Sequence, residues 1–177
     1  MLAILHIVLI VLAVLVVLTL LYAAIKPKGF RVQRSLMMKA SPEKIFPLIN
    51  DFHAWSGWSP YEKLDPTMKK TYAGAASGKG AIYTWEGNSQ TGTGRMEIID
   101  TTPSKITIKL DFQKPFKASN VGEFLMERKG DMTEVTWAMN GDYNYMARLM
   151  CIFINMDKMV GKDFEAGLST MKTLAEK

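Results

Sequence analysis

Residues Leu2 to Ile25 read LAILHIVLIVLAVLVVLTLLYAAI, and no other stretch of the 177 residues narrows the possible structures so far. The run holds no formally charged side chain; His6, Thr19 and Tyr22 are its polar interruptions. As a helix at ~1.5 Å per residue it spans about 36 Å, enough to cross a ~30 Å hydrocarbon core with some tilt. His6 and Tyr22 fall near the two ends, where polar tips reach the interface, so snorkelling is preferred for His6 over a proton relay. A cleaved signal peptide would have a shorter apolar core, ~7–15 residues, behind a basic start. This run is longer and no Lys or Arg precedes it, so residues 1–25 are expected to be a retained transmembrane anchor.

The charge pattern supports a membrane surface and excludes a nucleic-acid face. The net charge is +5, yet it is not spread along the chain. Lys26, Lys28, Arg31, Arg34 and Lys39 all follow the apolar run, and the first acid is Glu43. From Ser41 onward 17 basic residues meet 17 acidic ones, so the rest of the chain is neutral. A nucleic-acid-binding domain would need a basic face of its own. Residues 26–40 instead form a basic juxtamembrane segment running into a first strand, with Lys26, Lys28, Arg31 and Arg34 as its membrane-surface residues. Such residues gain roughly 1 kcal/mol each near anionic headgroups. Positive charge on the C-terminal side of the span predicts a cytoplasmic domain and an outside N-terminus. A single cysteine, Cys151, forbids an intrachain disulfide and leans the same way.

Residues 30–177 then read as one α+β domain. Gly29 to Lys39 is a first strand. Ser41 caps a helix that has Pro42 at its first position, and Pro47 is expected to break that helix after about one turn. A second short helix or turn should reach about Trp58. Strand-like runs follow at Met68–Tyr72, Gly80–Glu86, Gly94–Asp100, Lys105–Phe112, Ser119–Arg128 and Thr133–Asn140. The fourth alternates most cleanly: Ile106, Ile108, Leu110 and Phe112 face one way, Lys105, Thr107, Lys109 and Asp111 the other. Such a meander implies an antiparallel sheet with one face buried. From Tyr145 to Ala175 apolar residues recur with the helical period, predicting one amphipathic helix of roughly 30 residues that Gly161 and Gly167 bend or let approach closely.

Several segments together resemble the START-like superfamily, also called SRPBCC or polyketide cyclase/dehydrase-like. They are Ala40-Ser41-Pro42-Glu43-Lys44-Ile45-Phe46, the Trp55–Tyr61 stretch, Trp85-Glu86-Gly87-Asn88, Gly92-Thr93-Gly94 and the closing helix, covering roughly Phe30 to Glu176. The resemblance implies a helix-grip fold: a curved antiparallel sheet wrapped around a long C-terminal helix, with a hydrophobic cavity between them. Relatives bind or act on lipids, sterols, polyketides and other apolar molecules. One fold hosts many functions, so the site has to decide among them.

Candidate cavity residues follow from the faces of the elements. Trp55, Trp58 and Tyr61 are candidates for a mouth or lid. Trp85, Met96, Phe112, Phe124, Trp137, Met139, Met150 and Phe153 are candidates for the lining. Thirteen methionines, among them Met126, Met146 and Met171, suit either a gap-filling core or a deformable pocket. Glu86 and Arg95 are the polar candidates, as a cross-strand ion pair or as groups that orient a ligand. His53 and Tyr83 are thinner material for chemistry, and no Cys/His cluster has metal-ligand spacing. Cys151 reads as a small packed hydrophobe. The expected function is membrane-tethered carriage or sensing of an apolar small molecule or lipid, without a cofactor. The alternatives are a cyclase- or dehydratase-type enzyme, which the residues favour less, and a protein-interaction domain with a vestigial cavity. An exposed aromatic patch at Trp55–Tyr61 would mark the last of these.

Overall fold

The structure is a computed structural model and describes residues 1–177 except Asn144 and Phe153. The apolar run is one helix, α1 (Leu2–Ile25), long and apolar enough to cross a membrane. Its side chains point outward, with Ala23 the buried exception. The chain then enters β1 (Gly29–Met38), α2 (Pro42–Asn50) and two short 3₁₀ turns, Phe52–Gly57 and Pro60–Lys63. Six strands follow: β2 (Lys69–Gly74), β3 (Ala81–Glu86), β4 (Thr93–Thr102), β5 (Lys105–Lys114), β6 (Ala118–Lys129) and β7 (Met132–Asp142). Two helices close the chain, α3 (Tyr145–Met150) and α4 (Met156–Ala175).

All seven strands form one antiparallel sheet in the order β1-β7-β6-β5-β4-β3-β2. The meander β2 to β7 comes from short turns between alternating runs. β1 then pairs with β7, Gly29 opposite Asp142 and Met38 opposite Thr133, and completes the sheet. Alternation fixes which face is inside. On β3, Ala81, Tyr83 and Trp85 are buried while Glu86 is exposed. On β7, Val135, Trp137 and Met139 point inward. α4 lies across this face with Val160, Phe164, Leu168 and Met171 buried. This is the α+β helix-grip architecture.

Three local expectations are corrected. The closing segment is two helices rather than one. The apolar pattern runs through the break because the two parts serve different partners: α4 packs on the sheet, while α3 packs on α1. Asn155 restarts the helix, its side-chain oxygen accepting from the Lys158 amide at 3.0 Å. Pro47 does not end α2, which continues to Asn50. Proline there removes one ladder bond, toward the Glu43 carbonyl, and burial of Ile45 and Ile49 holds the rest. The Glu86–Arg95 pair does not form either. Glu86 stands opposite Thr93 as expected, but Arg95 donates to Glu97 at 2.7 Å. Glu86, Arg95 and Glu97 share the outer face, away from α4, so neither polar candidate reaches the interior.

Candidate functional site

The middle of the grip is packed with rings. Trp137 stacks on Phe164 of α4 at 4.1 Å between centroids and on Phe124 of β6 at 5.0 Å. Trp58 and Trp55 meet Trp137 edge-on, at 5.4 and 6.4 Å, and Tyr61 does so at 6.4 Å. These offset and edge-to-face arrangements are the preferred ones for aromatic pairs. α4 comes this close because residue 167 is glycine: a Cβ there would lie 2.8 Å from the Trp137 ring.

Trp55 and Trp58 are thus buried core, at 5% and 1% exposure, and not the mouth or lid expected of them. Their indole N–H groups have a second duty. Trp55 donates to the Ile49 carbonyl at 3.0 Å and Trp58 to the Leu48 carbonyl at 2.7 Å. These carbonyls belong to the last turn of α2, where the helix has no acceptor-satisfying amides left. The tryptophans therefore cap α2 from inside the core.

The remaining lining candidates divide. Trp85, Phe124, Trp137 and Met139 are buried on the inner face, and Met96 and Phe112 are partly buried against them. Met126 and Met171 are buried too, as packing. Met150 ends α3, is 44% exposed, and lies away from the ring cluster. Phe153 lies outside the described residues.

Sequence reasoning missed one polar group in the interior. The Glu62 carboxylate, 7% exposed, accepts from the Tyr83 hydroxyl at 2.7 Å and is paired with Lys70. Burial, with Glu62 beside it, pushes the Tyr83 phenol well above its ordinary value. Nearby, the His53 ring nitrogen Nδ1 lies 2.8 Å from Asp51, and the imidazole stacks on Tyr72, which in turn meets Tyr83 at 5.3 Å. Tyr83's inward position was readable from alternation. Glu62 was not, because it sits in a 3₁₀ turn without periodicity. Among the described residues, no group of three His, Cys, Asp or Glu could hold a metal ion.

Open space lies elsewhere, at the end of the grip nearest α1. A cleft of about 410 Å³ runs between the start of β1, Tyr143 after β7, and the α3–α4 connection. Its walls are Phe30, Val32, Ile152 and Met156, with Lys26 and Arg148 among the polar groups. Phe30 and Tyr143 stack at 4.8 Å. Burial raises the Tyr143 phenol, and contact with Cys151 adds to this. The Lys26 ammonium donates to the Cys151 carbonyl at 2.8 Å, and Arg148 donates to the Ala24 carbonyl at 2.9 Å. The cleft exists because α3 leaves the sheet to follow α1.

The basic residues expected at the membrane surface are only partly available for it. Arg31 is bonded to Asn140 at 2.9 Å and to Glu123 at 3.3 Å. Arg34 turns inward over Gly161 and bridges Asp157 and Glu165, at 3.0 and 2.7 Å, tying β1 to α4. Strand alternation puts these two on opposite faces, each beside an acid. Lys26 and Lys28 stay next to the end of α1.

A seven-stranded antiparallel sheet gripping a C-terminal helix, packed with rings in the middle and open at one end, defines a helix-grip protein. The chain belongs to the family described as polyketide cyclase / dehydrase and lipid transport, which matches residues 29–176. Solved structures share the fold. A protein of Chromobacterium violaceum aligns with a TM-score of 0.59 at 13% identity, over 86% of this chain and 99% of its own. The di-domain ARO/CYC BexL gives 0.64 at 10% identity, over 88% and 53%. Major latex-like protein 151 of Panax ginseng gives 0.61 at 12%, over 85% and 100%. At these identities the likeness carries the fold alone. No curated protein matches the sequence.

Proposed function

We propose that this protein is a membrane-anchored carrier or sensor that takes an apolar or lipid-like molecule into the cleft at the anchored end of its grip. One observation carries the reading: the cleft walled by Phe30, Val32, Ile152 and Met156 opens just past the end of α1, with Lys26 and Pro27 in its wall and its Arg148 bonded to the Ala24 carbonyl of α1. Its volume of about 410 Å³ falls in the range of small-molecule sites. With α1 in a bilayer, the cleft meets membrane-dissolved ligand at high effective concentration. The positive-inside rule puts the domain on the cytoplasmic side. Family membership supports an apolar ligand, and the ring-packed centre moves its place from the middle of the sheet to the end.

The test is native mass spectrometry of the full chain released from lipid nanodiscs. A stoichiometric lipid or other apolar adduct is expected, lost on Ile152→Trp, which fills the cleft, and kept on Trp137→Phe, which does not touch it. A clean apo mass across lipids, sterols and aromatic polyketides sinks carriage.

A catalytic reading has its own observation, the buried Tyr83 hydroxyl bonded to Glu62, which exposed Lys70 also pairs, beside the Asp51–His53 pair. Paired titratable groups of this kind are what acid/base chemistry on an apolar substrate requires. It predicts that Glu62→Gln abolishes turnover of a bound ligand while leaving the adduct in place. The interaction reading loses its mark, since Trp55 and Trp58 are buried instead of forming a surface patch.

A further inference from the structure

Residues 143–155, YNYMARLMCIFIN, contain one formal charge, Arg148, and otherwise mostly apolar or aromatic side chains. The helical part, α3, buries none of its residues against the sheet. It packs on α1. The Tyr145 hydroxyl donates to the Leu20 carbonyl at 3.0 Å, and Arg148 donates to the Ala24 carbonyl. Leu20 is five residues short of the end of α1. That places the phenol tip about 7.5 Å along the helix axis inside the end of the apolar run, at ~1.5 Å per residue. Ala23, buried in an otherwise outward-facing helix, marks the same contact.

This depth has a consequence for the other side of α3. Met146 and Met150 are 63% and 44% exposed, and Ile154 beyond them is 41% exposed. If α1 crosses a bilayer, a segment docked alongside its last turns does not stand in water. Its level is the boundary of headgroups and acyl chains, where tyrosine and amphipathic helices settle. The Arg148 guanidinium, held over the Tyr145 ring at 5.6 Å and bonded to the end of α1, lies on the domain side, where a charge is tolerated.

We propose that α3 and the described residues Cys151, Ile152 and Ile154 that follow it form a second membrane-contacting element, lying in the interface of the leaflet from which α1 emerges, with phospholipid as its partner. The inference rests on the reading of α1 as a membrane anchor. It deepens the function proposed above, because Ile152 and Met156 then line a cleft whose wall faces lipid. An apolar ligand would enter from the leaflet without crossing water. The absence of acids in the segment fits an anionic surface.

The experiment uses the full chain, with Cys151→Ser, in vesicles of phosphatidylcholine and phosphatidylglycerol. Single nitroxide labels are placed at Met146→Cys, at Val14→Cys in the middle of α1 and at Asp131→Cys in the β6–β7 turn. Collisions with oxygen, which concentrates in lipid, are compared with collisions with a water-soluble nickel chelate. The expected result is an oxygen-dominated label at 14, a nickel-dominated label at 131, and an oxygen-dominated but shallower label at 146. Met150→Cys should repeat the result at 146, and serves if the first variant does not fold. A nickel-dominated label at 146 with 14 still in lipid overturns this inference and leaves the anchor standing. A nickel-dominated label at 14 overturns the anchor and this inference with it. Protection of 146 from both reagents, with spin–spin broadening, overturns it in favour of a second protein chain on this face.

Discussion

The two ends of the grip are built by opposite means. In the middle and toward α2, space is filled by rings from five different elements, and the polar N–H groups of Trp55 and Trp58 are spent on helix carbonyls. At the end next to α1, the walls are element termini and a connection. There the polar groups of Lys26 and Arg148 bond to backbone carbonyls of other termini. Close packing of the first kind fixes one shape. An assembly of termini can yield by small shifts of a few residues, since local opening concentrates where buried apolar contacts are few. The open space of this helix grip lies away from the centre of the sheet, where the closing segment leaves the sheet to pack on α1.

The contrast is broken most directly by truncation. Trp137→Ala removes the ring that touches Phe124, Phe164, Trp55, Trp58 and Tyr61, and should cost about 3–5 kcal/mol in urea unfolding. Ile152→Ala, at the cleft, should cost about 1 kcal/mol or less, because the side chain is only half-buried and little surface is newly exposed. Equal losses at the two positions would show that the ends do not differ. Gly167→Ala comes next. The added methyl meets the Trp137 ring at 2.8 Å and Pro60 at 3.1 Å, neither of which is a free side-chain end. Overpacking of this kind costs about 1–3 kcal/mol. Trp58→Phe keeps a ring but leaves the Leu48 carbonyl without its donor, for a loss of about 1–3 kcal/mol. Both are read in the same urea titration.

The legibility of the sequence follows the same division. The strands that alternate were readable directly, because alternation is the image of a half-buried sheet, and Lys105–Phe112 shows it plainly; β2, exposed along its whole length, was marked only by the glycine that ends it. Gly167 was readable as a close approach. The break between α3 and α4 was not, since no glycine or proline marks residues 151–155 and the apolar period continues through it. What ends α3 is a tertiary choice, the contact of Tyr145 and Arg148 with α1, and no local signal encodes a partner 125 residues away. That the rings pack against one another was hidden for a related reason. Aromatic content flags large buried area but does not say whether rings fill a space or surround one. Glu62 escaped because it sits in a 3₁₀ turn and its partners, Tyr83 and Lys70, come from β3 and β2.

Acid sensitivity gives the smallest and sharpest comparison. Asp65 and Asp157 are both held below the ordinary carboxylate value, Asp65 by the Thr67 hydroxyl and the Asn88 amide, Asp157 by the Arg34 guanidinium. Asp65 is buried, and its oxygens accept from Thr67 at 2.7 Å and Asn88 at 2.7 Å, joining the 3₁₀ region to the β3–β4 turn. Asp157 is exposed at the cleft end, where solvent and salt screen its ion pair. Each carboxylate binds fewer protons in the fold than in the unfolded chain. Stability from it is therefore complete above the unfolded value of about 3.8 and is lost as pH falls through the lower folded value. Urea midpoints measured downward from pH 5 should fall in the parent protein. Asp65→Asn should flatten that acid limb, while Asp157→Asn should leave most of it, and the effect of the latter should shrink further in added salt. If Asp157→Asn flattens the limb as much as Asp65→Asn does, the end next to α1 is as tightly bound electrostatically as the packed end, and the contrast between a rigid interior and a yielding cleft fails at that point.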